Sequence, residues 1–133
     1  RLRSNLEACR KAGMRIAADD VGAGNAGLRL LSEIRFDIVK IDLSLVQGGV
    51  LRDSALAVLR AIHDLAAESG AAVVAEGIET VEQLKVVRRL GLRQGQGFLL
   101  AHPSESVSHD PVDVDVLISN HENTRLAFLD LSA

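Results

Sequence analysis

Aromatic side chains are scarce: the 133 residues include no Trp, no Tyr and only three Phe. Few rings remain to stack on bases, and a formal net charge of −3 offers no basic field to a phosphate backbone. Both points argue against a general nucleic-acid binder. Cysteine occurs once, at Cys9, which excludes an internal disulfide and a cysteine zinc cluster and suits a reducing cytoplasm. No apolar run approaches the roughly 18 residues of a membrane span. Arg1-Leu2-Arg3-Ser4-Asn5 lacks the apolar stretch of a signal peptide. There is no Gly-x-Ser-x-Gly element for a serine hydrolase. His63, His102, His109 and His121 never show the i, i+4 spacing of a helical zinc site, so surface or packing roles are expected.

What is present is ordinary globular material, 47% hydrophobic and 25% charged. That suffices for one core and excludes disorder. The length falls short of the roughly 250 residues of a complete (β/α)₈ barrel. The chain opens at Arg1 without a Met and reads as a piece of something longer.

The pattern alternates. Residues 1–13 predict a helix, with Leu2, Leu6 and Cys9 on one stripe and Gly13 past its end. Cys9 is expected in the core. Residues 14–18 predict a strand ending at Asp19-Asp20, followed by a Gly-rich turn and a short helix over 28–34. Residues 36–42 predict a second strand. Residues 53–69 give the clearest helix, with Asp53 as N-cap and Gly70 closing it. Residues 71–75 predict a third strand, ending at Glu76. Thr80-Val81-Glu82-Gln83 is a capping-box pattern for a helix running to Leu90. Residues 92–98 predict a weaker fourth strand. Strict alternation implies a parallel sheet covered by helices. In the tail, residues 112–116 alternate as a strand would but have no place in the repeat.

Three strands end in acidic residues: Asp19 with Asp20, then Asp42, then Glu76. The C-terminal strand ends form the functional face of parallel α/β folds. Carboxylates gathered there repel one another unless a divalent cation neutralises them. The plainer use of each is to cap the next helix or shape a turn. The adjacent pair Asp19-Asp20 has little structural use of that kind. Lys40 lies two residues before Asp42, on the same strand face, either among carboxylates or as a simple strand lysine.

Gly22-Ala23-Gly24-Asn25-Ala26-Gly27 also spells the dinucleotide fingerprint, with Asp42 20 residues beyond Gly22. Charge opposes that reading, because a pyrophosphate would meet Asp19 and Asp20 without a cation.

Asp19-Asp20-Val21-Gly22-Ala23-Gly24 resembles the Asp-Asp-Phe-Gly-Thr-Gly motif of EAL domains, the bacterial cyclic di-GMP phosphodiesterases. Lys40-Ile41-Asp42 is similar to their Lys-Ile-Asp, and Ala75-Glu76-Gly77-Ile78-Glu79-Thr80 to their Ala-Glu-Gly-Val-Glu-Thr. Gln96-Gly97-Phe98 and Pro103 resemble the closing motif. The four motifs come in family order across residues 1–103, leaving 104–133 as a tail.

The resemblance implies an α/β fold: the C-terminal half of a (β/α)₈ TIM-type barrel, about four parallel strands with outer helices. It implies hydrolysis of cyclic di-GMP to linear pGpG with two Mg²⁺ or Mn²⁺ ions. Asp19 would bridge the metals, Asp20 and Glu76 would hold the second, and Lys40 would orient the attacking water. Gly22 and Gly24 would shape the substrate loop, Glu79 would brace it, and Asp42 and Gln96 would support the site. A homodimer or the N-terminal half of the barrel is the expected protein partner.

The sequence departs from the family at Val21, Ala23 and Asn25-Ala26-Gly27, where Phe, Thr and Tyr-Ser-Ser are usual. Three elements that precede these motifs in the family, the Glu-Ala-Leu motif, a metal-binding Asn and a Glu-x-x-Glu strand, have no counterpart in residues 1–133. The isolated chain is therefore expected to be inactive. The alternative is a degenerate, non-catalytic module that binds cyclic di-GMP or a protein.

Overall fold

The computed structural model describes residues 2–23, 26–106 and 109–130. Four parallel strands lie in chain order: β1 (Ala17–Val21), β2 (Ile38–Ile41), β3 (Ala72–Ala75) and β4 (Gln94–Gly95). Among the described residues there are six helices: α1 (Leu2–Lys11), α2 (Ala26–Glu33), α3 (Leu43–Leu51), α4 (Asp53–Ser69), α5 (Val81–Arg89) and α6 (Val114–Asp130). Neighbouring strands pair in parallel and are joined by helical crossovers, as the alternating pattern implies.

Pairing aligns Ala17 with Ile38, Ile38 with Ala72, Lys40 with Val74 and Val74 with Gln94. Side chains alternate between faces along each strand. The helix-covered face carries Ala18, Val39, Ile41 and Ala75, all buried. Leu59, Ile62 and Ala66 of α4 and Leu84 and Val87 of α5 pack in the same core. The opposite face carries Ala17, Ile38, Lys40, Ala72 and Val74, which stay exposed or half-buried. One face is thus a finished core and the other is open.

Several expected boundaries move. The first strand runs over Ala17–Val21 and takes Asp19 and Asp20 into itself. Its entrance is pinned from Asp37, whose carboxylate accepts from Ile16 N at 2.7 Å while its own N–H donates to Ile16 O at 2.8 Å. Helix α3 fills a stretch to which the sequence pattern assigns no element, and it contains Gly48 and Gly49, which are poor helix formers. Packing overrides propensity: a Cβ on Gly49 would lie 2.7 Å from Leu59 Cδ1, so the small residues admit α4. Asp53 is not the N-cap of α4. Arg52 occupies that position in an extended conformation, and its N–H also closes α3 on Gly48 O at 3.0 Å. The fourth strand is short, since the chain turns away after Gly95 and Leu100 N donates to Gly97 O at 3.0 Å.

The tail is helical where a strand pattern stood. Asp113 caps α6 by accepting from Asp115 N at 3.1 Å and Val116 N at 3.0 Å. Val114, Leu117 and Ile118 then follow helical spacing onto the core. Cys9 is half-buried on α1, a helix with no fully buried residue. No helix among the described residues is long and apolar enough to cross a membrane.

Candidate metal and phosphodiester site

Period-two alternation from the register sets Asp19, Lys40, Glu76 and Gln96 on the open face, at its C-terminal end. The strand-end backbone is tied across the sheet. Asp42 N donates to Val21 O at 3.0 Å, Glu76 N to Ile41 O at 3.1 Å, and Gln96 N to Ala75 O at 2.9 Å.

Lys40 Nζ lies between two carboxylates, 2.8 Å from Asp19 Oδ1 and 2.6 Å from Glu76 Oε1. Gln96 Nε2 donates to the same Glu76 oxygen at 2.6 Å. The Lys40 ammonium is held well above its ordinary pKa by its bonds to Asp19 and Glu76, against the opposing effect of burial. Asp19 is pulled below the usual carboxylate range, chiefly by the Lys40 hydrogen bond. Both shifts favour the charged forms of the pair.

Asp20 reaches the site differently. Strict alternation would turn it toward the helices. Its φ of 53° and the register break between Ala18 and Val21 re-aim it. One carboxylate oxygen from each of Asp19, Asp20 and Glu76 falls within 4.8 Å of the others. Three carboxylates and one ammonium leave two formal negative charges. An all-oxygen cluster of that charge fits a hard divalent cation.

The supporting residues divide. Asp42 does the plainer work: its carboxylate accepts from Ser44 N at 2.9 Å and from Ser44 Oγ, capping α3. Gly22 takes φ 107° just after the acidic pair. Gly24 lies outside the described residues. Glu79 stands with Gln96, Leu43, Gly77, Phe98 and His102 around a hollow of about 540 Å³ beside the carboxylates. Its N–H donates to Gln83 Oε1 at 2.7 Å. His102 is an exposed residue that packs on a neighbour, as expected of it. In the fold its ring stacks on Phe98, with centroids 4.7 Å apart, in the wall of that hollow. The i, i+4 spacing of the two rings was the available signal.

Comparison with known proteins gives these features a lineage. The sequence model of the EAL domain matches residues 1–103. The chain is 38% identical over 99 residues to the probable cyclic di-GMP phosphodiesterase PdeA of Escherichia coli strain K12, covering 74% of this chain and 14% of that protein. It is 36% identical over 100 residues to the cyclic di-GMP phosphodiesterase PA2567 of Pseudomonas aeruginosa, covering 75% and 17%. Among solved structures, Klebsiella pneumoniae BlrP1 in its manganese/cy-diGMP complex at pH 9.0 aligns with a TM-score of 0.73 at 38% identity, over 77% of this chain and 26% of that one. The EAL domain of Mycobacterium smegmatis DcpA aligns with a TM-score of 0.70 at 36% identity, over 77% and 46%. The chain thus spans about a seventh of the first relative and less than half of a solved EAL domain. It belongs to the EAL family and is a C-terminal portion of that α/β barrel.

Proposed function

We propose that this chain supplies the carboxylate–lysine half of a cyclic di-GMP phosphodiesterase site that yields linear pGpG. The observation that carries the reading is the convergence of Asp19, Asp20 and Glu76 around Lys40. Two divalent cations, Mg²⁺ or Mn²⁺, would lower the pKa of a shared water and clamp the oxygens of an in-line displacement. Asp19, Asp20 and Glu76 would hold them, with Asp19 between the two.

Lys40 stays protonated beside those carboxylates and presents positive charge to the phosphodiester and the attacking water. Gln96 holds Glu76 by one oxygen, Oε1, which fixes the orientation of the other. Glu79 braces the substrate loop that Gly22 opens. Residues 1–103 carry the site, while α6 in the tail supports α5. The setting is a reducing cytoplasm, and the partner is the upstream half of the barrel or a second subunit.

Turnover of cyclic di-GMP by the intact domain tests the reading. Asp20→Ala and Glu76→Ala are expected to lower the rate by roughly 10³-fold or more with the fold intact. Near-normal turnover in both variants would refute the site. Tight cyclic di-GMP binding without hydrolysis in the wild type would favour a receptor instead.

A further inference from the structure

Helix α3 contributes no polar group to the carboxylate cluster, yet it starts between the two loops that carry it. Asp20 lies within the register break of β1, between the paired residues Ala18 and Val21, and Glu76 lies one residue past the end of β3. Neither ligand is therefore held by regular pairing. Their spacing depends on what packs against the turns beside them.

Those turns both abut the first turn of α3. A Cβ on Gly22, two residues after Asp20, would lie 2.6 Å from Leu45 Cδ2. A Cβ on Gly77, directly after Glu76, would lie 2.0 Å from Leu43 Cδ1. The φ values of 107° at Gly22 and 65° at Gly77 bend each loop at the point where a leucine meets it. The helix is anchored in turn, because Asp42 caps it and donates its N–H to Val21 O.

We propose that Leu43 and Leu45 are positioning residues, a two-point clamp from α3 that sets the separation of Asp20 and Glu76 across β2. The proposal rests on the reading of Asp19, Asp20 and Glu76 as a cation site. Binding constellations tolerate errors of only about 0.5 Å, so loosening either turn weakens cation binding before it unfolds the domain.

Isothermal titration of Mn²⁺ into the intact domain, with melting curves alongside, separates the outcomes. Leu45→Ala and Leu43→Ala are expected to weaken Mn²⁺ binding by about tenfold or more, the loss seen when support for a metal ligand is removed. Leu45→Met, which preserves volume, should bind as the wild type does. Leu45→Val should lose affinity to an intermediate degree and serves if the alanine variant does not fold. Leu90→Ala truncates a buried residue at the far end of α5 and should lower the melting temperature without changing affinity. Wild-type binding with both alanine variants within about twofold would overturn the clamp alone, as would an equal affinity loss in Leu90→Ala. A wild type that binds no Mn²⁺ would overturn the cation site and the clamp with it.

Discussion

Asp20 holds a backbone conformation with φ 53°, which costs a non-glycine residue about 1–2 kcal/mol. That strain sets its carboxylate beside two others, so function and stability oppose each other at one residue. Asparagine tolerates the same conformation without the charge. Asp20→Asn should therefore melt no lower than the wild type in the absence of metal, while losing Mn²⁺ affinity by at least about tenfold. Paired melting and titration curves read both effects, and unchanged affinity would remove Asp20 from the ligand set. Lys40→Met should lower kcat and kcat/KM together, by about 10²-fold or more, because a cation beside the attacking water acts in the transition state. A pure rise in KM would make Lys40 a substrate anchor.

The Asp19–Lys40 pair also sets a pH window. Asp19 is depressed, so its contribution is present above the ordinary carboxylate pKa and lost as pH falls through the lowered value. Lys40 is raised, so its contribution is present below the ordinary value of 10.5 and lost as pH rises through the higher one. Neither group should produce a limb in a rate profile between about pH 5 and pH 10.

The capping box of α5 ties a helix to the loop that bears Glu76. Gln83 is 7% exposed, and its Oε1 accepts from Glu79 N at 2.7 Å and Thr80 N at 3.0 Å. Gln83→Ala would strand both N–H groups and cost about 1–3 kcal/mol. Gln83→Glu keeps the acceptors and should cost less. Denaturant unfolding measures the difference, and equal losses would show that the box adds nothing. This element was legible from Thr80 and Gln83 because the motif is local. Helix α3 was not, since the reason Gly48 and Gly49 sit in it is Leu59 and Ala55, residues of another helix. The tail failed differently. Val112, Val114 and Val116 advertise a period of two, and only Asp113 as a cap reveals the helix. In the site, strand position placed Asp19, Lys40 and Glu76 at the C-terminal ends of neighbouring strands, but left Lys40 open between a site lysine and a plain strand lysine. The way Asp20 turns to join them depends on a register break that no local pattern announces.

Helix α6 completes the covering of α5 with a line of polar contacts. Lys85 meets Glu122 at 2.7 Å, His121 meets Glu82 at 2.7 Å, and Arg88 meets Asp115. These pairs are largely exposed, so Val114, Leu117 and Ile118 carry the docking and the charges fix its register.

The whole chain has one covered sheet face and one open one, which is the condition of a barrel divided along its axis. Ala17, Ile38, Ala72 and Val74 line the side that an eight-stranded barrel would fill. Strands β1 and β4 are both edges, ready to pair with another chain. Residues 1–133 alone are therefore expected to associate or aggregate, which light scattering reads directly. A stable monomer would contradict the half-barrel account.

The most direct test compares cyclic di-GMP turnover in Mn²⁺ by residues 1–133 alone and by the intact domain. The intact domain should release pGpG and the chain alone none. Turnover by the isolated chain, or an intact domain that leaves cyclic di-GMP uncut, would contradict that.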